Sequence, residues 1–425
     1  MLNSDNKYDV IVGGGGLAGV SAAIAAAREG INVLLIEKNG FLGGMATAGL
    51  VNPLMPYCIW KASWEYNWEE KVNKGIFRKI LANLVDKDGL HENNQTFNEE
   101  ILKLTLDRLI KKNKVDILLH SFISDVNRDR KILKSVTVTN KSGQQEIEAD
   151  YFIDATGDAD LSALADCEYK MGREEDGLCQ PMTLCFRLAD VDTDKFDPES
   201  RELVNEKYKE YKDKGIIKNP REDVLTFEHI VDDIIHFNST RIVGRSAVDV
   251  EDLTAAEIEA REQMYELYQF MKNNIPGFEN SKLLMSAPQI GVRESRRIVG
   301  EYVITEEDLL NTIKFEDSIA RGTYPVDIHN PSGTGTVLKD VPYGDYYTIP
   351  YRALIPLGVN NLIVAGRPIS STHEAHSAYR VMPICASIGE GAGIAASVAF
   401  NKKISFKEVD SKDIHNLLDK YEALY

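Results

Sequence analysis

Two clusters in this 425-residue chain combine residue types and spacings that could do chemistry. The first is Gly14-x-Gly16-x-x-Gly19, with Leu17 and Ala18 inside it. Three glycines so spaced between a strand and a helix allow a tight turn, close backbone approach to a pyrophosphate, and close packing of helix on strand. The helix start beyond them offers free N–H groups and partial positive charge to phosphates. Glu37 follows 18 residues after Gly19, placed to accept hydrogen bonds from a ribose hydroxyl pair. The second cluster is His373-Glu374-Ala375-His376 with Arg380. Its imidazoles could transfer protons, or could simply hydrogen-bond backbone or cofactor. The spacing is not H-E-x-x-H, and no third metal ligand is apparent, so no metal is assigned.

Arg293, Arg296 and Arg297 form a basic knot beside Glu294. Arginine suits bidentate capture of a carboxylate or phosphate, and an internal Arg–Glu or Arg–Asp network at the domain junction is the expectation for at least two of the three. Asp327 and His329 make another polar wall in a turn-rich segment, near Tyr343, Tyr346, Tyr347 and Tyr351, which could stack on a ring or pack a seam.

Elements must position these groups. Tyr8 to Val12 reads as a strand, Leu17 to Glu29 as an Ala-rich helix and Val33 to Ile36 as a second strand, which makes one βαβ unit around the glycines. Trp60, Trp64 and Trp68 recur at i, i+4, i+8, which predicts one helical face. Asn98 to Lys111 reads as an amphipathic helix, followed by β-rich runs at Val115–Val126, Ile132–Asn140 and Gln145–Ile153. Gln180 to Leu188 alternates as a half-buried strand, and Val191 to Asp233 reads as irregular and exposed. Thr254-Ala-Ala-Glu257 predicts a capping box opening a helix to about Asn274, and Tyr324 to Gly344 is turn-rich. Asn361 to Ala365 reads as a strand and Met382 to Phe400 as a Gly/Ala-rich helix.

Composition narrows the function classes. With 66 acidic and 49 basic residues the formal net charge is −17, which argues against nucleic acid or an anionic membrane as partner. A flavin-dependent RNA-modifying enzyme is disfavoured on the same ground. The five cysteines include no C-x-x-C, so they are expected to be reduced and structural. The opening MLNSDNKYDV has no basic start followed by an apolar stretch, which leads us to expect a cytoplasmic location. Oligomeric state is open.

Ten of the 30 glycines fall in the first 50 residues, and Gly43-Gly44-Met45 adds a second close backbone approach soon after Glu37-Lys38. Two later strand-to-glycine turns, IDATGDADL at 153–161 and NLIVAGR at 361–367, favour FAD over NAD. Together with VGGGGLAGVSAAIAAAREGINVLLIEK, IGVRESRRIVGEYVITEEDL, YPVDIHNPSG and the stretch after Arg367, they resemble the FAD-dependent oxidoreductases, a branch of the glutathione-reductase-like and fumarate-reductase-like flavoproteins. The resemblance spans nearly the whole chain, thinning between about 190 and 235.

That resemblance implies an α/β fold: a Rossmann-like FAD-binding domain with a central parallel sheet and β-meander insertion, and an inserted α+β substrate domain. The expected boundaries are 1–165 plus 355–425 for the first, with 55–112 a mostly helical insertion, and 166–354 for the second. The pyrophosphate would lie on Gly14, Gly16 and Gly19 and the ribose on Glu37, with Lys38, Gly43, Gly44 and Met45 close by. Ile123, Ala155, Thr156 and Gly157 would meet the adenine end, Gly366 and Arg367 the phosphate and ribityl chain. The helix opening at Val381 and Met382 would point at the flavin ring. His373, His376 and His329 become candidate acid–base groups, and Arg293, Arg297 and Arg380 candidate anion holders. The chain lacks a second strand-linked G-x-G-x-x-G for a nicotinamide cofactor. We therefore expect hydride exchange between flavin and a small polar, potentially anionic substrate, with oxygen or an external electron carrier closing the cycle. A non-catalytic flavin-binding partner subunit is the alternative.

Overall fold

The computed structural model describes residues 7–196 and 198–425. Residues 1–6 of the opening segment on which the expectation about location partly rests lie outside the described residues. Strand β1 (Lys7–Gly13), helix α1 (Leu17–Arg28) and strand β2 (Val33–Ile36) form the βαβ unit within a residue or two of the sequence reading. Strands β3 (Cys58–Ala62) and β4 (Glu65–Lys71) come next, then helices α2 (Gly75–Val85) and α3 (Glu99–Lys112). Asn98 caps α3 by accepting from the N–H groups of Glu100 and Ile101 at 3.0 and 3.1 Å. Strands β5 (Asp116–Leu118), β6 (Phe122–Asp129), β7 (Ile132–Asn140) and β8 (Gly143–Asp154) complete this part.

The expected tryptophan helix face is not formed. Trp60 and Trp68 lie on opposite strands of the antiparallel β3–β4 hairpin, and Trp64 sits at its turn with φ +59°. The insertion over 55–112 is therefore part hairpin, part helix. Trp60 is buried against Tyr66 and Tyr324, with ring centroids 5.1 and 6.4 Å away, whereas Trp64 is exposed.

A second apolar core forms from the middle of the chain. After α4 (Asp160–Leu164) and β9 (Tyr169–Met171) come β10 (Phe186–Ala189), α5 (Pro198–Asp213), β11 (Thr226–Glu228), β12 (Ile235–Phe237), α6 (Val250–Asn274), β13 (Lys282–Ser286) and β14 (Arg296–Ile298). An antiparallel sheet in the order β11-β12-β10-β13 carries this core. Three expectations change here. The stretch from Val191 to Asp233 contains the sixteen-residue helix α5 rather than only irregular chain. The segment Gln180–Leu188 is buried on both faces, because Thr183, Cys185 and Arg187 also meet protein. Helix α6 opens a turn earlier than Thr254, with Asp249 accepting from the N–H groups of Glu251 and Asp252 at 3.0 Å.

The remaining elements are α7 (Glu306–Leu310), β15 (Ser318–Gly322), β16 (Val326–His329), β17 (Thr336–Lys339), β18 (Tyr347–Pro350), β19 (Leu362–Val364), α8 (His373–Tyr379), α9 (Met382–Lys402) and α10 (Ser411–Lys420). The turn-rich segment after Tyr324 thus contains the antiparallel β16–β17 hairpin. Strand β19 returns the chain to the first sheet, whose main path is β5-β2-β1-β8-β7-β6. Strand β8 is long enough to serve two partners on one side: its first half pairs antiparallel with β7, and Phe152–Asp154 pair parallel with β19. On its other side it pairs parallel with β1, so β5, β2, β1, β8 and β19 run the same way. Val10 and Val12 face one apolar cluster and Tyr8 and Ile11 another, so the sheet is buried on both faces, as parallel sheets are.

Helices α1 and α9 meet at backbone distance. A Cβ added at Gly389 would lie 2.1 Å from the Ala18 carbonyl oxygen, and one at Gly393 2.1 Å from that of Ala22. The Ala-rich sequence of α1 and the glycines of α9 are two halves of one contact. We predict that Gly389→Ala, which must push these helices apart, costs about 2 kcal/mol or more of stability by urea denaturation. An unchanged midpoint and slope would show that the contact tolerates a methyl group.

Candidate cofactor cleft and polar chamber

Strand β1 delivers Gly14 at φ +98°, where a Cβ would come within 2.3 Å of the Ala155 carbonyl oxygen. Gly19 packs α1 down onto this turn: its Cβ would sit 1.8 Å from the Gly14 carbonyl oxygen. Opposite, Gly43 at φ +113° donates its N–H to the Gly15 carbonyl at 2.8 Å. A Cβ on Gly44 would fall 2.9 Å from Gly16 Cα. Two bare stretches of backbone thus face each other, and no side chain caps the first N–H groups of α1. Glu37 is buried, with its carboxylate accepting from Gly15 N at 2.6 Å and Asn39 N at 2.7 Å. Each of its oxygens has a further lone pair for a hydroxyl donor.

These residues border a cleft of about 550 Å³, within the range of cofactor sites. Gly14, Gly16, Leu17, Ala18, Glu37, Lys38, Gly43, Gly44, Met45, Ala155, Thr156, Gly157, Gly366, Arg367 and Met382 all line it, and so does Arg380. Gly19 does not; it acts through helix packing. Ile123 is buried behind the wall, and its neighbour Phe122 lines the cleft instead. Val381 caps α9 just outside. A glycine cradle, a carboxylate just past the end of β2 and a cleft of this volume fit a dinucleotide cofactor.

Arg367 lines the cleft and is also tied into its wall. Its Nε donates to the Gly157 carbonyl at 2.9 Å, Nη2 pairs with Asp158 at 2.5 Å, and Nη1 donates to the Val292 carbonyl. It is a strut between the glycine turn at 157 and the segment leading to β14. Sequence reasoning missed Asp158 and Asp160, although both lie within a motif it singled out, and it gave Arg296 no place in the cofactor cleft. It also missed Ala247–Val250, Leu253 and Gln289, which line the cleft from the second core and carry no local signal.

Beyond Arg380 lies a cluster of polar side chains, called the chamber below. Arg380 Nη2 is 3.6 Å from the Asp327 carboxylate, which also accepts from the Tyr324 hydroxyl at 3.0 Å and lies 3.5 Å from His329 Nε2. Burial works against ionising Asp327, but these neighbours hold its carboxyl well below the usual range. Burial and then the Arg293 guanidinium push His329 down to about 3, so this imidazole is neutral. That removes it as a proton acceptor near neutral pH. Arg293 donates to the Pro181 carbonyl at 2.8 Å, the Thr183 hydroxyl and the Asn238 side-chain oxygen at 3.4 Å. Burial and then Arg380 push it down to about 9.

The other candidates divide. Arg297 is buried and committed to Glu294, to the Gly172 carbonyl at 2.8 Å and to the Ser371 carbonyl at 3.1 Å, so it holds no ligand. Arg296 likewise pairs with Asp160 at 3.2 Å while lining the cleft. Glu294 is the hub: its carboxylate also accepts from Gln180 N at 2.9 Å and meets His373 Nδ1 at 2.8 Å. His376 is sealed in the core without a partner at either ring nitrogen, and burial keeps it well below its ordinary range, so it is a neutral packing residue. Tyr347 and Tyr351 are buried and pack the interior.

A family model described as FAD dependent oxidoreductase matches residues 9–418. Protein FixC of Azorhizobium caulinodans is 26% identical over 165 residues, 36% of this chain and 37% of FixC, so the match spans little more than a third of that relative. Among solved structures, a geranylgeranyl bacteriochlorophyll reductase-like protein from Thermoplasma acidophilum is similar at 14% identity and TM-score 0.43, covering 98% of this chain and 82% of that one. A flavoprotein/dehydrogenase from Cytophaga hutchinsonii is similar at 14% identity and TM-score 0.46, covering 98% and 84%.

Asp160 makes the cleft sensitive to pH. Burial, then Asp158 and Asp154, push its carboxyl up to about 6 against the opposing pull of Arg296. Above that pH it is an anion in the wall of the cleft, which disfavours an anionic cofactor; below it, it is neutral. FAD affinity should therefore rise severalfold as pH falls from about 7 to about 5.5, and Asp160→Asn should abolish the dependence. Fluorescence titration of the apoprotein with FAD checks this, and a flat profile in the parent protein would remove Asp160 from the cofactor wall.

Proposed function

The chain belongs to the FAD-dependent oxidoreductase family, and from that premise we propose that it transfers a hydride between FAD and a small anionic substrate held by Arg293 and Arg380. The observation that carries this reading is Arg293, whose hydrogen-bond partners are all neutral. A half-buried guanidinium held only by neutral oxygens gives up hydration without gaining an anionic partner, and a bound carboxylate would offset that loss. Bound FAD supplies the hydride chemistry at its ring system, where the protein contributes binding, orientation and electrostatics.

The residues of the chain divide the remaining tasks. Arg380 lines the cofactor cleft and also reaches Asp327, so it joins the cofactor site to the chamber. Asp327 neutralises part of the local positive charge and, as a poor proton acceptor, stays ionised. A bidentate hold by Arg293 would orient the anion and leave the reacting carbon free to approach the flavin. Proton transfer falls to His373. Glu294 anchors its Nδ1, and among the described residues its Nε2 is neither bonded nor sealed from solvent. An imidazole fixed at one nitrogen by a carboxylate keeps its second lone pair available. Oxygen or an external carrier completes the cycle in this reading.

Anaerobic mixing of the holoprotein with small carboxylates, followed by flavin absorbance, tests it. Carboxylates should bleach the flavin, whereas their uncharged amides should not. Arg293→Met should weaken binding of a reactive carboxylate by about 30-fold or more, the scale for removing one partner of a buried charge pair. Equal bleaching by amides, with Arg293→Met unaffected, would sink the anionic assignment.

A further inference from the structure

Arg241 is almost completely buried, at 1% exposure, in the loop between β12 and α6. Its backbone is gripped in both directions by Gln263, whose Oε1 accepts from Arg241 N at 2.8 Å and whose Nε2 donates to the Arg241 carbonyl at 3.0 Å. The guanidinium spans the β16–β17 hairpin. Nη1 donates to the carbonyls of Gly333 and Gly335 at 3.0 and 3.2 Å and pairs with Glu222 at 2.8 Å, while Nη2 lies 3.2 Å from His329 Nδ1. A guanidinium has no acceptor, so Nδ1 must supply the lone pair and the ring proton must sit on Nε2. That nitrogen faces the Asp327 carboxylate at 3.5 Å. Thr336 lies 3.3 Å from Nδ1 but commits its hydroxyl proton to Glu222 at 3.0 Å, so it does not compete for the role of donor.

We propose that Arg241 is a positioning residue for the anion chamber: it fixes His329 as a neutral Nε2–H donor to Asp327 and thereby leaves the chamber with a single uncompensated positive charge. The inference rests on reading Arg293 and Arg380 as the anion holders. The charged groups facing His329 are Arg293, Arg380, Arg241 and Asp327. Glu222 compensates Arg241, Asp223 compensates Arg221 at 2.8 Å, and Asp327 compensates one of the other two arginines. One guanidinium charge remains. A proton on Nδ1 would oppose N–H to N–H across the Arg241 contact and raise the chamber's charge to two. Burial and the same arginines already disfavour the charged ring. The lock therefore selects a singly charged anion, such as one carboxylate group, and makes its binding insensitive to pH across the neutral range.

The test starts with the unaltered holoprotein labelled at histidine nitrogens, with the His329 signal assigned by its loss in His329→Gln. Long-range proton–nitrogen spectra should show a proton on Nε2 and none on Nδ1, unchanged from about pH 5.5 to about pH 8.5. Protonated Nδ1, or titration near the ordinary value, would overturn the lock whether or not any variant folds. Arg241→Met should free Nδ1 and let the neutral ring carry its proton on either nitrogen, and Arg241→Lys, which keeps a donor, should restore the locked signal. Acetate, followed by its perturbation of the flavin spectrum, should bind the parent protein with the same dissociation constant across that range and at least tenfold tighter than sulfate. In Arg241→Met its affinity should fall severalfold, because a ring with its proton on Nδ1 no longer donates to Asp327 and leaves that carboxylate to compete for the arginines. Sulfate binding as tightly as acetate would overturn the single-charge assignment. A locked tautomer with no acetate binding would overturn the anion reading and leave the lock standing.

Discussion

The structure depends on backbone meeting backbone where no Cβ intervenes. Gly19 seats α1 on the Gly14 turn, and Gly389 and Gly393 seat α9 on α1. These contacts set the direction of both helices relative to β1 and leave the start of α1 open to the cleft. The start of α9 is fixed by the same packing, and with it Met382, Cys385 and the preceding Arg380, all of which line the cleft. A side chain at any of these positions would move a wall of the cofactor site and not merely loosen a core. The glycines act as distance restraints, and the polar chemistry hangs from the helices they hold.

Burial treats the arginines near the cleft in two ways. Arg297, Arg296 and Arg367 each have a carboxylate partner, respectively Glu294, Asp160 and Asp158, and each ties two segments together. Arg293 is held only by neutral oxygens. Withdrawing a charge from water without an anionic partner is costly, so a fold that pairs these three arginines and leaves half-buried Arg293 unpaired keeps a cost that a ligand can remove. Glu294 sharpens the contrast: one carboxylate satisfies Arg297, the Gln180 backbone and His373, so it has nothing to spare for Arg293.

Sequence made the cofactor cleft legible as a unit and the chamber legible only as scattered candidates, for a physical reason. Gly14, Gly16, Gly19 and Glu37 act within one βαβ unit, where spacing along the chain fixes spacing in space. The chamber gathers Thr183, Asn238, Arg241, Arg293, Asp327 and His329 from segments far apart in the chain, and no local pattern announces such a meeting. Trp60, Trp64 and Trp68 misled for a simpler reason. A repeat of four residues keeps one face in a helix, but four is also a multiple of two, so it keeps one face in a strand as well. Aromatic residues favour strands, and a turn at Trp64 breaks the run into a hairpin. The α6 start was misplaced because Asp249 serves as cap without the Ser/Thr-x-x-Glu pattern.

The chamber's polarity is fixed by groups that no substrate needs to touch. Asp327 stays ionised because Arg380, Tyr324 and His329 all favour its charged form, and Arg241 blocks the one nitrogen through which His329 could become a cation. Glu222 then cancels Arg241 and simultaneously ties down Gly335 N at 3.2 Å and the Thr336 hydroxyl, so the same ion pair that sets the imidazole tautomer also holds the hairpin wall in place. Charge and shape are therefore coupled: loosening the 330–335 loop would release Arg241, and releasing Arg241 would change the protonation of His329. An anion entering beside Arg293 meets a wall whose charge cannot adapt to it, and such a preorganised site discriminates among ligands by charge before any contact is optimised.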